Sequence, residues 1–183
     1  MGRKQEFDRV TAFHEAGHAV AALRLGVGIG RDGISIVPGE GFAGFVHVLK
    51  SFRGRPDIEI TGAMRLKVEN RVIVALAGPV AQRTFRTSSV RREHGRSDHQ
   101  GAIDLLSYFA GSSRQLEAYF KWLRVRTEDF VHSPVWWTQI DAIAAALLVH
   151  KRLSVADAKN IARDALGWPV PMALKNPPTR RQG

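Results

Sequence analysis

A chain of 183 residues with 44% hydrophobic and 24% charged residues has the composition of one soluble globular domain with a core, and it contains no apolar run of the roughly 18 residues that a bilayer span needs. It has no cysteine, which excludes disulfides and thiolate ligands, so any metal site must be built from His, Asp or Glu. The net charge of +10 admits a nucleic-acid or acidic partner, but outside Arg91-Arg92, Lys151-Arg152 and Arg180-Arg181 the basic residues are dispersed and lack interleaved aromatics, so they read as a solvated surface.

MGRKQEF leads into a charged segment without a secretory apolar stretch, so the expected compartment is the cytoplasm and no membrane contact is expected. Residues 8–25 read as a helix capped by Asp8 and closed by Gly26. Two β-rich runs, 34–37 and 45–49, bracket Pro38-Gly39 and read as a hairpin or small sheet. From Asp57 or Thr61 to Phe85 the pattern is helical, with Val68, Val72, Ala75 and Leu76 on one stripe and a kink or break expected near Gly78-Pro79.

Residues 86–97 lack apolar periodicity and read as a loop. The remainder reads as helices over about 98–110, 113–131, 134–152 and 154–166. The second follows Ser112, with Gln115 as a capping-box partner, and the third has Ser133 as cap and Pro134 in its first turn. The expected fold class is mainly α (α+β), a single domain over 1–167 followed by an extended Pro-rich tail at 168–183.

His14-Glu15-Ala16-Gly17-His18 is an H-E-x-x-H motif on the first helix. Residues four apart stack on one helix face, so two imidazoles can converge on one ion, while Glu15 beside them can serve as general base. Small residues around them (Ala12, Ala16, Gly17, Ala19) let other elements pack close. A hydrolytic zinc site usually takes a third protein ligand. Spacing alone does not choose among Glu93, His94, Asp98, His99, Asp104, Glu117, Asp129 and His132.

HEAGHAVAAL resembles the start of the peptidase domain of the FtsH-type zinc metalloproteases, which are membrane-bound and ATP-dependent. Residues 34–48 (ISIVPGEGFAGFVHV) are similar to that family's strand pair, 76–85 (LAGPVAQRTF) to its small-residue helix, and 97–105 (SDHQGAIDL) to the segment whose aspartate is the third zinc ligand. Residues 140–166 are similar to its closing helices, so the likeness spans roughly residues 8–166.

The resemblance implies a Zn2+ cofactor held by His14, His18 and Asp98, with Ala102 keeping the family spacing and Asp104 as the rival ligand. It implies Glu15 as the catalytic base and hydrolysis of peptide bonds. Pro79 stands where the family usually has Arg, and the loop before Asp98 is a few residues longer.

No phosphate-binding G-x-x-x-x-G-K-[ST] loop is present, the glycines at 26–33 lacking the Lys-Ser/Thr, so the expectation is an ATP-independent peptidase acting on peptides or flexible segments. An extended substrate could add to the edge of the strand near 44–48, which reads equally well as a structural hairpin. The alternative from another class is a basic binding or regulatory module that retains a structural zinc. An intact Glu15 argues against it, because a structural site has no need of a base.

Overall fold

The computed structural model describes residues 3–38, 45–48, 56–58, 61–86 and 96–167. Along them run α1 (Arg3–Leu25), β1 (Ile29–Ser35), β2 (Phe45–Val48), α2 (Gly62–Phe85), α3 (Arg96–Ser107), α4 (Ser113–His132), α5 (Pro134–His150), β3 (Arg152–Leu153) and α6 (Val155–Asp164). The mainly helical fold with a small sheet is as the sequence led us to expect. The expected tail at 168–183, most of the expected loop at 86–97, and the candidates Glu93 and His94 lie outside the described residues.

α1 begins before Asp8, because Lys4, Gln5 and Glu6 are good helix formers and Glu6 suits the positive end of the helix dipole. Asp8 is therefore not a cap; its carboxylate accepts a hydrogen bond from Lys151 Nζ at 3.0 Å. The helix does stop at Gly26, which takes a left-handed φ of 66°, and Val27 N–H reaches back to the Ala22 carbonyl at 2.9 Å. That is the αL closure for which glycine is suited.

The sheet has the order β2-β1-β3, with antiparallel pairing throughout. β1 starts earlier than the apolar run at 34–37 and carries a register shift between Ile29 and Ile34. β3 corrects the expectation of a helix running to Arg152. Lys151 turns out of α5 with φ 64°, its carbonyl accepts from Ile36 N–H at 3.0 Å, and Arg152 and Leu153 then pair with Ser35 and Ile34.

α2 begins at its cap, Thr61, whose hydroxyl accepts from Met64 N–H at 3.1 Å. It then runs through Pro79 as one continuous helix, so of the kink or break expected near Gly78-Pro79 the break is absent. Proline there forfeits the hydrogen bond to the Ala75 carbonyl and crowds the preceding turn, a cost of about 3 kcal/mol. Val74, Leu76, Ala77, Val80 and Ala81 are all buried around it, and each such valine or leucine contributes roughly 1.5–3 kcal/mol, so packing wins over propensity.

α2 is the centre of the molecule. One of its faces (Val74, Ala77, Val80, Ala81) packs into a cluster with Ala12, Ala16 and Val20 of α1 and Ile140, Ile143 and Leu147 of α5. The other (Val68, Val72, Ile73, Leu76) packs with Ala102 and Leu106 of α3 and Leu123 of α4.

α1 lies unusually close to α2. A Cβ on Gly17 would sit 2.6 Å from the Ala77 carbonyl oxygen and 2.7 Å from Ala81 Cβ. On the far side, Ile143 is fully buried, so Ile143→Ala is expected to lower unfolding stability by about 2–5 kcal/mol. The check is a lower denaturant midpoint at an unchanged slope.

Of the expected caps, Ser133 with Pro134 is present, and the one at Ser112 is half-formed. Ser112 Oγ accepts from Gln115 N–H at 3.2 Å, but Gln115 Oε1 accepts from Gly111 N–H at 2.8 Å rather than from Ser112.

Candidate metal centre

The close approach at Gly17 brings His14 and His18, one turn apart on α1, against the middle of α2. Each ring is fixed by its Nδ1, whose tautomer follows from its partner. His18 Nδ1–H donates to the Val74 carbonyl at 2.7 Å, and His14 Nδ1–H donates to Gln82 Oε1 at 2.9 Å. Both Nε2 atoms are thereby turned toward each other, 3.0 Å apart. From the first turn of α3, Asp98 Oδ2 lies 3.3 Å from His14 Nε2 and 3.6 Å from His18 Nε2.

This triangle fits a small tetrahedral cation. An ion with bonds of about 2.0–2.1 Å holds its ligand atoms about 3.3 Å apart, and the observed separations of 3.0, 3.3 and 3.6 Å bracket that value. The chemistry agrees. Two neutral imidazoles with Nδ1 bonded elsewhere point bare lone pairs at each other, an arrangement that needs a cation or a proton between them. Among the described residues, His14, His18 and Asp98 form a group able to hold a metal ion.

The electrostatics of the metal-free chain point the same way. Burial alone would pull the His18 imidazole down, yet the carboxylates of Asp98 and Glu15, with the Val74 carbonyl, push it up to about 9. Burial would raise Asp98, but the two imidazoles, His18 foremost, hold its carboxyl well below the usual carboxylate range. The site is thus a well of negative potential that favours positive charge.

Glu15 is 5% exposed and lies near enough to feel both imidazoles and Asp98. Burial pushes its carboxyl up, against the pull of His18 and His14. A raised carboxyl is the property that suits a general base working near neutral pH.

Asp98, not Asp104, stands with the histidines. Asp104 faces along α3, where its carboxylate accepts from Gln100 Nε2 at 2.8 Å. His99 is exposed and its ring lies 4.6 Å from that of Phe120, while His132 hydrogen-bonds Thr84 Oγ1 at 3.0 Å. Glu117 and Asp129 are exposed on α4 and outside the group.

Two supporting residues escaped the sequence reading. Gln82, 3% exposed, holds His14 through its side-chain oxygen. Gly78 makes room for His18: a Cβ there would lie 2.3 Å from His18 Nε2 and 2.5 Å from Cε1. The available signal was the Gly78-Pro79 pair in the middle of an otherwise strong helical pattern, a local conflict of the kind that functional sites carry. No known family's sequence model matches this chain, and no curated protein matches it in sequence.

Proposed function

We propose that this chain is a zinc-dependent peptidase that cleaves peptides or flexible protein segments without ATP. The observation that carries the reading is the triangle of His14 Nε2, His18 Nε2 and Asp98 Oδ2, with edges of 3.0–3.6 Å, placed beside the buried carboxylate of Glu15. Zinc held by these three residues would supply Lewis acidity toward a carbonyl and toward water.

The chain's own residues would do the rest. Glu15 takes a proton from the attacking water and delivers it to the departing amine. Val74 and Gln82 keep the two imidazoles in one tautomer and one orientation, which preserves the ligand geometry through turnover. β2 is the outer strand of the described sheet, on the side of β1 away from β3, and an extended substrate would add along it by main-chain hydrogen bonds.

Metal analysis coupled to hydrolysis of a quenched peptide library tests the reading. The parent chain should hold one zinc and hydrolyse the library, and chelation should abolish hydrolysis. Asp98→Ala should lose zinc, whereas Asp104→Ala should keep it. Full zinc in Asp98→Ala would remove that residue from the ligand set. Full zinc with no hydrolysis in the parent would instead favour a binding module with a structural metal.

A further inference from the structure

Away from the metal triangle, a cavity of about 320 Å³ opens between the C-terminal end of α1, the middle of α5 and one face of α6. Its size is at the small end of the roughly 300–1,000 Å³ typical of ligand pockets. Leu23, Ala162 and Leu166 supply apolar walls, while Arg24, Lys159 and Arg163 bring three cations to it; among the described residues no carboxylate lines it.

The cations are arranged rather than scattered. Gln139, 6% exposed at the base, accepts from Arg24 Nε at 2.7 Å and donates to the Ala162 carbonyl at 2.6 Å. A buried amide thus uses its oxygen and its nitrogen to fix one guanidinium at the rim, whose terminal nitrogens have no partner among the described residues. Lys159 and Arg163 lie four residues apart on α6 and so share a face, an unfavourable pairing of like charges unless an anion sits between them. Arg163 Nε is paired with Asp164 at 3.0 Å, but Lys159 has no hydrogen-bond or ion-pair partner among the described residues. Helix C-termini account for cations at Arg24 and Arg163, since the dipole favours them there, but not for Lys159 in mid-helix or for the hollow between them.

From this arrangement we infer that the cavity binds a carboxylate carried on a short apolar group, with the head among Arg24, Lys159 and Arg163 and the tail against Leu23, Ala162 and Leu166. Guanidinium and ammonium groups give the head charge-assisted hydrogen bonds, and the apolar wall rejects a fully hydrated anion such as phosphate. Two sources share this chemistry: the free C-terminus of a peptide ending in an apolar residue, and a free medium-chain acid. The inference does not depend on the peptidase reading.

Calorimetric titration of the full chain tests it, with octanoate, with Ala-Ala-Leu as free acid and as amide, and with inorganic phosphate. Octanoate or the free-acid peptide should bind, the amide should not, and phosphate should bind at least about tenfold more weakly than the better carboxylate. Which carboxylate binds identifies the source.

Arg24→Gln and Lys159→Gln should each weaken binding by about three- to tenfold, the effect of losing one charged contact at a partly exposed site. Lys159→Gln disturbs no described partner, so it stays informative where Arg24→Gln loosens the Gln139 bridge. It also separates this cavity from carboxylate ligation by a metal at His14, His18 and Asp98. The inference is overturned by absence of binding by both carboxylates, by equal binding of the amide or of phosphate, or by unchanged affinity in Lys159→Gln.

Discussion

Glu15→Gln should bind zinc like the parent chain and hydrolyse peptides about a hundred- to ten-thousandfold more slowly, the range expected when a positioned general base is removed. Glutamine has the shape of glutamate, so the side chain that fills this buried position on α1 is not shortened. The atoms that form the metal triangle belong to His14, His18 and Asp98, so the substitution takes no ligand away. What it removes is the carboxylate that couples to both imidazoles and to Asp98 without itself belonging to the triangle. An interaction made in the transition state lowers kcat and kcat/KM together when it is lost, so KM should stay near the parent value. One zinc per chain with parental hydrolysis would remove Glu15 from the mechanism. Loss of zinc along with activity would recast it as a residue that shapes the metal site rather than the base.

Much of this arrangement is legible in the sequence because it depends on local spacing. His14, Glu15 and His18 are related by helix geometry, which a sequence states directly. Ser133-Pro134 and Gly26 mark helix ends by rules that act over a few residues. Residues joined only by tertiary packing were harder to read. The 3.6-residue periodicity of α2 pointed to one stripe through Val68, Val72 and Leu76, yet the helix is buried on two faces, and the second face is the one that carries Gly78 and Gln82 to the histidines. Pro79 reads as the site of a kink or break because propensity is local, whereas the burial that keeps α2 continuous comes from α1, α3 and α4. β3 was missed for the same reason. Two residues make a strand only because Ser35 and Ile34 are there to pair with them, and Lys151 must adopt a left-handed φ to deliver them. Spacing also left Asp98 and Asp104 undecided. The family resemblance favoured Asp98, and the structure puts that carboxylate, not the other, against the imidazoles.

Gly78→Ala reverses the ordinary sign of a helical substitution. In the interior of an exposed helix, replacing glycine by alanine stabilises by roughly 0.5–1 kcal/mol, because the backbone has less freedom to lose. At Gly78 the new methyl would fall 2.3–2.6 Å from three atoms of the His18 imidazole. Neither side can yield cheaply. The ring is tied to the Val74 carbonyl one turn earlier on α2, and α1 is already in backbone contact with α2 at Gly17. If the ring swings out, the bond to Val74 breaks and Nε2 leaves the triangle with His14 and Asp98. If α1 moves instead, the alanine-lined seam through Ala77 and Ala81 opens. Overpacking of this kind costs typically 1–3 kcal/mol, which exceeds the propensity gain. Gly78→Ala should therefore melt below the parent chain even when both are metal-free, and should bind zinc at least about a hundredfold more weakly, the upper end of the loss seen when a ligand's supporting contacts are removed. Gly101→Ala on α3, where a Cβ meets nothing within 4 Å, is the matched control and should melt at or above the parent with full zinc. A Gly78→Ala chain that is stabilised and fully metallated would show that His18 does not occupy the space this glycine leaves.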